Sequence, residues 1–212
     1  IDFDKSSPQI QVQIATSFIS IEQARMNLEH EVPEWDFKQL CNNTKKAWND
    51  KLSKFHIKGN NKDDAPIFYT ALYHCYLFPR EFSEYGKYYS AFDDKIHDGF
   101  SYNDYSLWDT FRAFHPLMTL IEPELTGDWI TALLQMYKEG GWLPMWPNPS
   151  YTNIMIGTHA DAVIADAYMK GIRNYDIGLA YEALRKNAMV PPDCDTQRRY
   201  GDRDYWTSFE GR

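Results

Sequence analysis

Cysteine is scarce in this chain: 212 residues contain three, Cys41, Cys75 and Cys194. They stand in unrelated contexts with no CxxC or Cys/His spacing, which excludes a sequence-encoded zinc module and leaves ordinary thiols favoured over one disulfide plus a free cysteine. Long apolar runs are missing too. No stretch approaches the roughly 20 residues of a membrane-spanning helix, so no membrane span is expected. Basic clusters are also absent. No Lys/Arg run is longer than a pair such as Arg198-Arg199, in a chain of formal charge −8, so nucleic acid is not an expected partner. Ile1-Asp2-Phe3-Asp4-Lys5 carries neither the basic nor the apolar region of a secretion signal. Nucleophile elbows, phosphate loops, dinucleotide fingerprints and zinc-binding helices do not occur, and the enzyme classes built on them lose their usual support.

Aromatic side chains, by contrast, are abundant, with 7 Trp and 15 Tyr among the 43% of residues that are hydrophobic. That is ample material for a core. Two segments concentrate this aromaticity beside charge: Ser106-Leu107-Trp108-Asp109-Thr110-Phe111-Arg112 and Glu139-Gly140-Gly141-Trp142-Leu143-Pro144-Met145-Trp146. A tryptophan next to a carboxylate offers an apolar face for C–H groups and charge-assisted acceptors for hydroxyls, the two things a pyranose ring requires.

The pattern along the chain predicts a mainly helical fold. Gln9 to Ile14 alternates with period two and reads as a half-buried strand, which needs partners in further sequence or in another copy of the chain. Ser20-Ile21-Glu22-Gln23 has the form of a capping box, opening a helix to about Glu31. Phe37, Leu40, Cys41, Thr44, Trp48, Leu52 and Phe55 form one helical stripe starting near Trp35; Asn42-Asn43-Thr44 within it matches the N-glycosylation pattern, read as a chance triplet. A helix follows from the Asp63-Asp64-Pro66 region to Phe78. Arg80 to Tyr105 shows no sustained periodicity and is expected to be a long ordered loop. Four further helices are predicted: Ser106 to Ile121 with a disturbance at Pro116, Glu124 to Tyr137, Thr158 to Lys170, and Asp176 to Asn187. An unpartnered strand at one end and a polar tail from Asp195 to Arg212 suggest a segment of a larger folding unit.

From Thr16 onward the chain resembles glycoside hydrolase family 92, the calcium-dependent exo-acting α-mannosidases. The resemblance rests on Ser17-Phe18-Ile19-Ser20 with Ala24, Asn27, Leu28 and Glu29, on Phe68 to Tyr73, on Ser106 to Arg112, and on His115-Pro116-Leu117. It continues through Gly140-Gly141-Trp142-Leu143-Pro144, Met155 to Asp161, and Ala165 to Gly171. It implies the end of an N-terminal β-sandwich at 1–19, a helical linker at 20–60, and the first half of an (α/α)6 toroid at 61–212. It also implies inverting hydrolysis of terminal α-linked mannose from glycans. The catalytic acid, the base and the calcium ligands are expected in sequence outside this segment, in the remainder of the polypeptide or a companion chain. An extracellular or periplasmic location follows from that substrate class.

The residues expected to bind substrate are Trp108 and Asp109 at the sugar ring, His159 at a hydroxyl, and Trp142 and Trp146 at the pocket rim. Arg112, one turn from Asp109, is expected to orient its carboxylate. Four of these have a plainer alternative: Asp109 as a cap, Trp108 as core, Trp142 and Trp146 as packing. Glu139 reads as a solvated glutamate, His115 as a satisfied core histidine, and Asp161 equally as a first-turn charge. Asp93-Asp94 and Asp202 with Asp204 read as solvated turns, so no metal ligand is expected in the chain. The competing functional readings are a non-catalytic carbohydrate-binding or structural protein, and a different (α/α)6 glycosidase.

Overall fold

The computed structural model describes residues 10–152 and 154–190. The chain divides into two units, Ile1–Tyr73 and His74–Arg212. The expectations placed on Gln9, Cys194, Arg198-Arg199 and Asp195 to Arg212, including Asp202 and Asp204, lie outside the described residues.

In the first unit, α1 (Ile21–Glu31) begins where Ser20 accepts a hydrogen bond from the Gln23 backbone N–H at 3.1 Å. The box is half formed, because the Gln23 side chain turns inward to donate to Asn27, which in turn donates to the Thr16 carbonyl. Helix α2 (Phe37–Leu52) is capped by Asp36. Its stripe is covered only in part: Leu40, Cys41, Trp48 and Leu52 are half-buried and Trp48 packs on Tyr73, but Phe37 and Thr44 are exposed. Most of α3 (Asp64–Cys75) also belongs here, with Tyr69 donating to the Phe55 carbonyl. The strand expected over Gln9 to Ile14 is not formed in its described part. Without a partner there is no ladder to close, and Ile10, Val12 and Ile14 are exposed.

The second unit opens with two short ribbons, one nested in the other. Strand β1 (Arg80–Glu81) pairs antiparallel with β4 (Tyr102–Asn103), and β2 (Lys87–Ser90) with β3 (Lys95–Asp98). The segment read as a loop is therefore a pair of hairpins. Strands of two to four residues are too short to show a period of two.

The helices follow as α4 (Leu107–Thr110), α5 (Phe114–Ile121), α6 (Pro123–Gly140), α7 (His159–Met169) and α8 (Ile177–Met189). Helix α6 is central. It starts with Pro123, whose missing N–H costs nothing in a first turn, and buries Trp129, Ile130, Leu133, Leu134, Met136 and Tyr137 against α5, α7 and α8. It ends at Gly141, left-handed at φ 89°, whose N–H bonds the Tyr137 carbonyl, as glycine-terminated helices do.

The single helix expected over Ser106 to Ile121 is two helices. The break falls at Ala113, not Pro116. Pro116 is the third residue of α5, where its N–H would be unpaired in any case. Ala113 has φ 62° and ψ −62° and is bridged by a 2.8 Å bond from the Phe114 N–H to the Arg112 carbonyl. This is a γ-turn of the rare, strained hand.

Candidate functional site

Helix α4 is one turn long, so its placement depends on anchors rather than on intrinsic helix stability. Leu107 is fully buried in the core beside Tyr105, whose hydroxyl donates to the Trp129 carbonyl at 2.9 Å. With Leu107 inside, the next two side chains face outward. Trp108 is 37% exposed and Asp109 is exposed. Asp109 occupies the third helical position, where a capping carboxylate would reach back to Ser106, yet among the described residues its side chain makes no cap bond or ion pair. The capping alternative is therefore not realised. The γ-turn at Ala113 follows at once, and strain of this kind, about 1–3 kcal/mol, persists only where surrounding contacts impose it.

His159, the first residue of α7, is brought to this segment by Phe111, the two rings lying 4.3 Å apart at 34°. Gly157, left-handed at φ 82°, makes room: a Cβ there would sit 2.4 Å from the His159 ring. Trp108, Asp109 and His159 thus belong to two packed elements, α4 and α7. Arg112 does not do what its spacing suggests. Its guanidinium lies over the Phe111 ring instead, 4.9 Å from the centroid.

Trp142 and Trp146 occupy the connection between α6 and α7. Trp142 is half-buried under Lys186 of α8, whose ammonium lies 4.4 Å from its ring and donates to the Gly141 carbonyl at 2.8 Å. Tyr151 closes the turn by accepting from the Trp142 N–H and donating to the Trp142 carbonyl. Trp146 is half-buried between Met145 and Pro147, and its carbonyl accepts from Thr152. Both tryptophans are thus half-buried in this connection. Gly140 is where Tyr151 comes closest, since a Cβ there would lie 2.4 Å from the hydroxyl. Gly140→Ala is expected to lower stability by about 1–3 kcal/mol through this overpacking, measured by urea unfolding, with near-ultraviolet circular dichroism reporting the loosened Trp142 turn.

Three expectations are corrected here. Glu139 is not solvated: its side chain is 9% exposed and accepts from Tyr88 on one oxygen and Ser90 on the other. Asp93 is not a free turn residue, since both its oxygens lie 3.1 Å from His97 Nε2. Burial pushes the Asp93 carboxyl up, but the bonds from His97 and Lys95 outweigh it and hold it below the usual range. Burial, then the bond to Glu139, holds the Tyr88 phenol far above its ordinary range, so it remains a donor. His115 is buried but not satisfied, with neither ring nitrogen hydrogen-bonded. Asp161 accepts from Asn187 at 2.7 Å.

Asp93, His97 and Glu139 are the one set of three metal-type donors that converges among the described residues, lying within 4.8 Å of one another. Calcium prefers six to eight oxygens, and a set containing an imidazole does not fit it. Nor does the pair Asp93 and Glu139 suit an inverting hydrolase, whose carboxyls stand roughly 6.5–9.5 Å apart. A groove of about 420 Å³ between α7 and α8, lined by Ile164, Tyr168, Ile177, Tyr181 and Leu184, offers no carboxylate or imidazole.

Comparison with known proteins gives one consistent family. The glycosyl hydrolase family 92 catalytic domain matches residues 23–210. An uncharacterized secreted glycosidase of Arthroderma benhamiae is 30% identical over 202 residues, covering 91% of this chain and 22% of that protein. The family 92 inverting mannosidase of Bacteroides thetaiotaomicron VPI-5482 superposes with a TM-score of 0.82 at 35% identity, covering 89% of this chain and 26% of that one. A family 92 α-mannosidase of Bacteroides thetaiotaomicron, solved with mannoimidazole, gives 0.78 and 32%, covering 84% and 24%. The chain spans about a quarter of the length of these relatives.

Proposed function

The chain belongs to glycoside hydrolase family 92, and from that premise we propose that it forms one wall of the sugar-binding site of an inverting exo-α-mannosidase. The observation that carries the reading is the Trp108–Asp109 pair: an indole and a carboxylate, side by side and exposed on an anchored turn, the carboxylate making no side-chain bond among the described residues. Asp109 accepts hydrogen bonds from sugar hydroxyls, the indole packs on the ring, and His159, fixed by Phe111, meets a further hydroxyl. Arg112 acts through Phe111, holding the ring that positions His159, rather than through Asp109. Trp142 and Trp146 stiffen the loop between α6 and α7 and line the rim from there.

The substrate is terminal α-linked mannose on an N-glycan, mannan or related glycan. Two similar structures are of mannosidases, one of them described as inverting and the other solved with mannoimidazole, and both support this choice. The acid and base belong to sequence outside the described residues. Calcium, which the family resemblance implies, is held there too, since the donors present do not suit it. A secreted location is supported by the Arthroderma relative.

The test is release of free mannose from α-linked mannobioses by the full-length protein, in calcium and in chelator. Calcium-dependent release with inversion at the anomeric carbon is expected. Mannose binding without release would assign the chain to a carbohydrate-binding protein. Release of a different sugar would replace mannose by that sugar.

A further inference from the structure

We propose that Asp93, His97 and Glu139 form a binding site for a divalent cation of the zinc class, separate from the calcium implied by the family resemblance. The ion clips the β2–β3 hairpin to the C-terminal end of α6. His97 Nε2 is 3.1 Å from each Asp93 oxygen and 3.9 Å from Glu139 Oε1, and all three donors fall within 4.8 Å. A triangle of that size has a centre about 2.0–2.4 Å from each corner, against the ~2.0–2.2 Å of zinc bonds to imidazole and carboxylate. The mixed nitrogen and oxygen set selects zinc over calcium or magnesium.

A second observation supports the site independently. Glu139 is held by one hydroxyl per oxygen, from Tyr88 and Ser90, and the Tyr88 ring stacks on His97 at 5.4 Å and 22°. Hydrogen-bonded carboxylates and a fixed imidazole are how the residues surrounding a metal orient its ligands. Each Glu139 oxygen keeps a lone pair after accepting one hydrogen bond. On binding, the ion takes the Nε2 lone pair and His97 is left as neutral imidazole protonated at Nδ1: an imidazolium releases its Nε2 proton to solvent, and a neutral Nε2–H ring exchanges it for one at Nδ1. Lys95, 3.3 Å from Asp93 and largely exposed, swings into water. Three protein ligands leave a fourth position for water, and the partial exposure of His97 and Asp93, 30% and 17%, provides the entry path.

The clip fixes Glu139 two residues before Gly141, so it stabilises the turn that carries Trp142. Zinc binding is read without substrate, and it stands or falls separately from the mannosidase reading. The experiment is titration of the full-length, metal-stripped protein with Zn²⁺ in excess calcium, followed by calorimetry and by competition with a chromophoric chelator. One Zn²⁺ per chain is expected, and Co²⁺ in its place should show the visible absorption of a nitrogen- and oxygen-ligated ion.

His97→Phe keeps a ring against Tyr88 but removes the nitrogen, and Glu139→Gln keeps an acceptor oxygen for one of the Tyr88 and Ser90 hydroxyls while the other turns to accept from the new NH2. Each should abolish the Co²⁺ spectrum and weaken zinc by more than about 10-fold. Tyr88→Phe, which removes no ligand, should weaken it by about 10-fold. Absence of stoichiometric zinc in the unmutated protein overturns the proposal, as does binding that His97→Phe and Glu139→Gln leave unchanged.

Discussion

Asp109→Ala, made in the full-length protein, is expected to lower kcat/KM for mannose release by about 10²-fold or more, while the free energy of unfolding stays within about 0.5 kcal/mol of the parent. The two halves of this expectation come from the same fact. Asp109 is exposed and makes no side-chain bond among the described residues, so the fold loses nothing with it. A carboxylate facing sugar hydroxyls accepts charge-assisted bonds, each about 1.5–3 kcal/mol, and two of them correspond to the stated loss. Asp109→Asn separates charge from shape. It keeps an acceptor oxygen and should recover part of the activity. If Asp109→Ala unfolds the protein and leaves kcat/KM unchanged in what remains folded, the carboxylate is structural and the proposed wall is wrong.

How much of this was legible beforehand depends on how far apart in sequence the contacting residues are. Helices with a long periodic stripe or clear caps, such as Ile21–Glu31 and Pro123–Gly140, are encoded within a few turns, and their bounds come within one to three residues of expectation. The Trp108–Asp109 pair is also local: adjacency gives the chemistry, and burial of Leu107 supplies the outward direction. The break at Ala113 was not legible, because alanine carries no left-handed signature and only surrounding contacts impose one. Pro116 drew attention as the visible breaker but sits in a first turn. The Arg112–Asp109 pairing failed because spacing alone does not reveal the Phe111 ring that the guanidinium covers instead. The Tyr88, Ser90, His97 and Glu139 cluster joins residues up to 51 apart. Its sequence signals, a pair of short strands and a glutamate before two glycines, have commonplace meanings on their own.

One buried imidazole should contribute a separable share of the acid sensitivity. His115 is 2% exposed, lies edge-on to Trp129 at 5.8 Å and to Phe114 at 5.0 Å, and has no hydrogen bond on either nitrogen. Burial is the main cause that lowers its pKa from 6.5 to about 4, with Asp166 opposing weakly. Above about pH 6.5 both folded and unfolded states hold it neutral, and it contributes no pH dependence. Between about 6.5 and 4 the unfolded chain binds a proton that the folded state refuses, so stability falls as the pH drops through this window. The loss approaches about 3 kcal/mol at its lower edge and then levels off. His115→Leu removes the titrating group and the two unbonded nitrogens together. It should leave stability at pH 7.5 equal or higher and, at pH 4, exceed the parent by about 3 kcal/mol in urea unfolding. Carboxylates such as Asp93 and Asp128 titrate in both proteins and cancel in the difference. A difference curve that is flat from pH 7.5 to 4 would mean that His115 finds a partner or water when charged, and that the acid loss arises elsewhere.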